Sequence, residues 1–124
     1  MLSIMSLLTI ADSFYIGVAD VRAASAWYTE KLGLRTMPPT PDDEEGCIAL
    51  GFSKEDRTAI VLGPRDNPTD GTTPMFYASK IGKARDLLSS RGVNVGTLEK
   101  DRQGTHYFEI RDLEGNLIEV SEEP

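Results

Sequence analysis

The chain is short of the residues that most often announce a chemistry. Its 124 residues include one cysteine, Cys47, one histidine, His106, and one tryptophan, Trp27. A lone cysteine rules out an internal disulfide and points to a reducing, cytoplasmic setting. No histidine is near Cys47 in the sequence, so a catalytic thiol is not expected there. Positive charge is also scarce. Thirteen Lys and Arg face 20 Asp and Glu, giving a net charge of −7 and a pI near 4.6. That balance argues against nucleic acid as the partner and favours cationic ligands mildly. No run is long enough to cross a bilayer. The N-terminal "LSIMSLLTIA" is apolar but short, and no basic region precedes it, so neither a membrane span nor a secretion signal is expected. It reads as a lead-in strand or an apolar arm.

What is present suits one soluble domain with a real core: 40% hydrophobic and 27% charged residues. The chain also repeats itself. "SFYIGVADVRAASAWYTEKLGL" (Ser13 to Leu34) and "TPMFYASKIGKARDLLSSRGV" (Thr73 to Val93) each open strand-like and then turn helical. Val21, Ala24, Trp27 and Tyr28 fall at i, i+3, i+6 and i+7, and so do Ile81, Ala84, Leu87 and Leu88. Asp20 and Ser79 are the expected N-caps, and Gly33 and Gly92 stand where left-handed caps are expected. The back halves, Ile48 to Gly63 and His106 to Ser121, share a strand–turn–strand pattern with the charged turns "SKED" and "RDLEG" in register. The expected organisation is an arm (1–12), a βαβββ module (13–64), a polar linker (65–72) and a second module (73–124). The acidic "MPPTPDDEEG", with "DDEE" at Asp42 to Glu45, is expected to be an exposed loop.

Strand phase assigns the side chains. "DLEG" suits a type I turn from Asp112 to Gly115 with positive φ at Gly115. That turn sets Asp112 opposite Asn116, Ile110 opposite Ile118, and Phe108 opposite Val120. These apolar residues share the face under the helices. The other face carries Tyr107, Glu109, Leu117 and Glu119, with the two carboxylates directly across from each other. Phe14, Ile16 and Val18 likewise leave Tyr15 and Gly17 on the reverse. Phe76 and Ala78 leave Met75 and Tyr77, and Ile60 and Leu62 leave Val61 and Gly63. Curling two such sheets together makes a cup lined by the mixed faces, which is a natural ligand site.

With "VADVRAASAWYTEKLGLR" in the first half and "FEIRDLEGNLIEV" in the second, the chain resembles the glyoxalase/bleomycin resistance/dioxygenase superfamily, the vicinal oxygen chelate proteins. The resemblance implies an α+β fold. Two βαβββ modules form a cupped mixed β-sheet with helices on the outer face, usually in a homodimer. Metal-dependent members hold a divalent ion on up to four His and Glu ligands, at the first and last strands of each module. By position these places fall on Ser13, Val61, Thr73 and Glu119, and only Glu119 keeps a ligand-type side chain. His106 is expected on the helix-facing side or at a strand's beginning, outside the cup.

The expectation is therefore a metal-independent, cofactor-free protein that binds a small cationic or planar molecule. Tyr15, Met75, Tyr77, Tyr107, Glu109 and Glu119 would line its acidic, aromatic cup. The alternative is an enzyme of the same superfamily, a lyase, isomerase or dioxygenase. It would use Glu119 as acid or base or as a metal ligand. Plainer readings stand beside both: a wide, wet cup with solvated carboxylates, tyrosines that only fill space, and Trp27 and Tyr28 as core. A subunit or regulatory partner with its cup filled by its own side chains is a third possibility.

Overall fold

The computed structural model describes residues 14–38, 45–52, 57–64 and 73–123. The apolar arm, most of the acidic loop, the "SKED" turn and the linker lie outside them. Strand β1 (Phe14–Val18) leads to helix α1 (Val21–Leu32), then β2 (Leu34–Thr36), β3 (Ile48–Phe52) and β4 (Thr58–Pro64). The second half runs β5 (Met75–Ala78), α2 (Ile81–Ser90), β6 (Asn94–Val95), β7 (Glu99–Lys100), β8 (His106–Arg111) and β9 (Leu117–Glu122). Among the described residues no helix is long and apolar enough to cross a membrane.

The halves share one topology. Their sheets run β1-β4-β3-β2 and β5-β9-β8-β6, with the short β7 also on β8. In each, the first strand lies parallel to the last and the remaining pairs are antiparallel. A parallel pair needs a long crossover, and the helix with its following strands supplies one in each half. This is the α+β architecture expected, built as two mixed sheets.

The hairpin register is the one read from the turn. Glu109 pairs with Glu119, Ile110 with Ile118, and Phe108 with Val120. Asp112 N–H donates to the Asn116 carbonyl at 2.9 Å, Gly115 N–H donates to the Asp112 carbonyl at 3.0 Å, and Gly115 has φ +87°. A side chain at that φ would be strained, so glycine fits.

Helix α1 starts as expected. Asp20 is extended and its carboxylate accepts the Ala23 N–H at 3.0 Å, while Gly33 closes the helix at φ +75°. Helix α2 differs at its start. Lys80, not Ser79, is its N-cap, and Lys80 makes no side-chain cap bond. The helix begins where Ile81 can bury its side chain, so packing sets the boundary. At its far end Gly92 has φ +83°, and Val93 N–H reaches back to the Leu88 carbonyl at 3.1 Å while its side chain is buried. Leu87 was expected in the apolar stripe but is exposed. It lies about 90° from the centre of Ile81, Ala84 and Leu88 at 100° per residue. Trp27 has the equivalent place on α1, and its larger ring folds back edge-on to Tyr28, 5.1 Å away.

Both sheets turn their apolar faces to one contiguous core, which includes Ile16, Val18, Tyr28, Leu50, Ile60 and Leu62 from the first half. Phe76, Phe108, Ile110, Ile118 and Val120 join it from the second. Phe52 meets Phe76 edge-to-face at 5.2 Å, linking the two halves through their core-side residues. Polar bonds complete the joint. Buried Asp112 accepts the Tyr28 hydroxyl at 2.7 Å, along with N–H groups of Glu114 and Asn116 from its own turn. Glu114 accepts the Ala19 and Asp20 N–H groups at 2.7 and 2.9 Å, where α1 begins. Asn116 Nδ2 donates to the Gly17 carbonyl at 3.4 Å. At the helix ends Lys31 Nζ donates to the Arg91 carbonyl at 2.7 Å, and Arg91 Nη1 donates to the Lys31 carbonyl at 2.9 Å. Each cation sits on the electronegative end of the other helix.

Candidate functional site

The open face of the second sheet is built by register. Pairing Met75 with Glu119 and Glu119 with Glu109 sets those three in one row across β5, β9 and β8. Pairing Tyr77 with Ser121 and Ser121 with Tyr107 sets a second row beside it. Paired residues project to the same side, so five of the six residues singled out from the sequence share this face. Met75 is 39% and Tyr77 57% exposed, large values for apolar and aromatic side chains. Glu109 is exposed, while Glu119 and Tyr107 are half-buried. Two carboxylates directly opposite on one face repel, so their pairing costs stability unless something positive lies between them.

Tyr15, the sixth residue, stands on the other sheet. It pairs with Val61 across β1 and β4, on the side away from the core. Its ring leans along β4 over Gly63. A Cβ placed on Gly63 would lie 2.6 Å from Tyr15 Cζ and 2.8 Å from Cε2. The Tyr15 hydroxyl donates to the Pro64 carbonyl at 3.3 Å. The strand alternation places Gly63 on this face without giving it a role. Nothing in its strand pattern shows that a ring 48 positions away needs the space.

His106 lies at the start of β8 in phase with Phe108, on the core side, as expected. Its Nδ1 is 3.2 Å from Glu122 Oε1, and the same oxygen accepts the His106 backbone N–H at 2.7 Å. The carboxylate oxygen can only accept, so the contact is a hydrogen bond when Nδ1 carries a proton. These bonds, the backbone N–H first, hold Glu122 below the usual carboxylate range. Cys47 is a free thiol, half-buried at the entry to β3.

The positions that would carry a resident metal ion were tested by their donors. Ser13 lies outside the described residues. Val61 has no donor atom, Thr73 offers an exposed hydroxyl ahead of β5, and Glu119 offers a carboxylate on the other sheet from Val61. Among the described residues no group of three or more His, Cys, Asp or Glu side chains is placed to hold a metal. One hydroxyl, one alkyl group and one carboxylate do not fit a divalent ion.

With this geometry in hand, sequence and fold agree. The profile of the Glyoxalase/Bleomycin resistance protein/Dioxygenase superfamily matches residues 9–120, and the chain belongs to that superfamily. Its fold is similar to that of a Sphaerobacter thermophilus member of the superfamily, with TM-score 0.77 and 21% identity over 95% of this chain and all of that one. It is similar to TnmS3, an antibiotic binding protein from a Streptomyces species, with TM-score 0.78 and 17% identity over 96% of this chain and 99% of that one. It is also similar to a lactoylglutathione lyase from Agrobacterium tumefaciens, with TM-score 0.71 and 18% identity over 94% of this chain and 96% of that one. At such identities the likeness is one of fold. No curated protein matches the sequence.

Proposed function

We propose that the protein is a metal-independent binding protein of the bleomycin-resistance type. It sequesters a small cationic, planar molecule and breaks no bond in it. One observation carries this reading: Glu109 and Glu119 pair across one sheet face with Met75, Tyr77 and Tyr107 around them. A cation between the carboxylates offsets their repulsion, and the aromatic and thioether groups take the ligand's flat surface. The poor donor set at the family's metal positions supports binding over metal chemistry. The likeness of fold to an antibiotic binding protein supports the same choice.

A homodimer completes the site in this reading. Within one chain both open faces look away from the shared core. A hollow lined by Tyr15 and by the acidic face together therefore needs a second copy. The lone cysteine suits a reducing cytoplasm.

The test is calorimetric titration with planar aromatic cations, alongside metal analysis of protein purified without chelator. The expected result is saturable binding with the ligand recovered unchanged. Glu119→Gln should weaken binding roughly tenfold, the scale of a lost charge-assisted contact, and should raise the melting temperature of the free protein slightly by removing one of the two facing charges. Stoichiometric zinc, nickel, manganese or iron in the purified protein would overturn the reading, as would conversion of the ligand to product.

A further inference from the structure

The open face of the first sheet holds one large aromatic, and its position depends on a glycine. Tyr15 starts opposite Val61, yet the hydroxyl end of its ring reaches Gly63 and Pro64, further along the neighbouring strand. The ring therefore crosses from β1 to β4 over the backbone of Gly63. Gly63 itself is buried. Any side chain there would occupy the place of Tyr15 Cζ and Cε2, and β4 cannot move away because it is held on both sides by β1 and β3. Alanine at residue 63 therefore displaces the end of the ring from its place over β4.

We infer that Gly63 is a positioning residue for ligand recognition. It lets Tyr15 lie across β1 and β4 as an aromatic shelf, and that shelf selects ligands with a planar aromatic system. This rests on the sequestering function proposed above and deepens it by naming the ligand class that the first module chooses. The carboxylates of the second sheet attract any small cation. The ring distinguishes a flat aromatic cation from a flexible one, because only the former gains offset stacking. The hydroxyl bond to Pro64 fixes the ring's tilt, but stacking needs only the ring, so phenylalanine should serve there.

The test is a double-mutant cycle read by titration with ethidium and proflavine, against spermidine and tetraethylammonium as non-aromatic cations. Wild type should prefer the aromatic pair. Tyr15→Phe should bind them like wild type. Tyr15→Ala and Gly63→Ala should each lose roughly tenfold for the aromatic cations, with spermidine binding unmoved. Tyr15→Ala/Gly63→Ala should lose no more than Tyr15→Ala alone, since both changes act on one ring. The double variant also removes the clash, so it should fold even if Gly63→Ala does not, and its affinity then tests whether residue 63 acts through anything besides the ring. Unchanged ethidium binding in folded Gly63→Ala would overturn the inference. So would a further loss of affinity in the double variant, or a wild type that binds only the non-aromatic cations. That last result would also remove the planar ligand from the proposed function. Absence of the Tyr15 and Gly63 effects alone would leave that function standing, and binding of none of the four would end both.

Discussion

The two halves of this molecule share a topology and divide the labour. The first invests in anchorage. Helix α1 is capped by Asp20, receives Glu114 from the other half at its start, and buries Ala24, Ser25 and Tyr28. The second half leaves its open sheet face exposed. Helix α2 has no side-chain cap and buries only Ile81, while its sheet displays Met75, Tyr77, Glu109 and Glu119 away from the core. Repetition lets this happen. Once one copy secures the common core, the other can carry like charges face to face and exposed aromatic groups that cost stability.

The comparison can be broken most forcefully at the core, which should be indifferent to the division. Phe108→Ala, in the second half, should cost about 3–5 kcal/mol in chemical denaturation, because its ring is fully buried. Leu87→Ala on the exposed side of α2 should change stability little. An equally small loss for Phe108→Ala would show that the second half has no core of its own.

Next in size is the buried joint. Tyr28→Phe should cost about 1–3 kcal/mol, since Asp112 loses the hydroxyl that reaches it from the other half. Burial, and then the Asp112 carboxylate, push the Tyr28 phenol well above its ordinary range. The unfolded chain's tyrosine gives up its proton near pH 10 while the folded one keeps it. Stability from this group is thus complete below that pH. It should fall by about 1.4 kcal/mol for each pH unit above it. Denaturation series from pH 8 to pH 11 should show a shallower decline in Tyr28→Phe, and equal slopes would refute the assignment.

The helix starts sharpen the contrast on a smaller scale. Asp20→Ala should lose about 1 kcal/mol, whereas Lys80→Asn should gain a fraction of that by giving α2 the cap it lacks. Thermal melts of the two variants should move in opposite directions. The slightest effect belongs to the half-buried His106–Glu122 pair. Glu122 is held below its ordinary range, so its contribution is present above the unfolded carboxylate value and is lost as the pH falls through the folded one. NMR titration should find Glu122 ionising at lower pH than exposed glutamates, and His106→Ala should move it only partway back, because the backbone N–H remains.

Much of this was legible in the chain. The turn "DLEG" fixed the register of β8 against β9, and parity then carried Phe108, Ile110, Ile118 and Val120 to the core and Glu109 and Glu119 to the reverse. Local rules suffice there, because a short turn leaves one pairing that buries every apolar residue. Helix ends were less legible. Ser79 has the better capping chemistry, yet burial of Ile81 moved the boundary to Lys80. Position on a helix also proved insufficient without size, since Trp27 and Leu87 occupy the same angle and only the indole reaches cover.

Sequence alone determined the repeat and the alternation of faces, because these depend on residue identity and on periods of two and 3.6 that act over a few positions. Only the tertiary structure decided that Tyr28 meets Asp112 across 84 residues, that Glu114 closes the start of α1, and that Tyr15 needs a bare Gly63 beneath it. Those contacts join surfaces brought together by the shared core. Their partners are chosen by distance in space, which no local periodicity records.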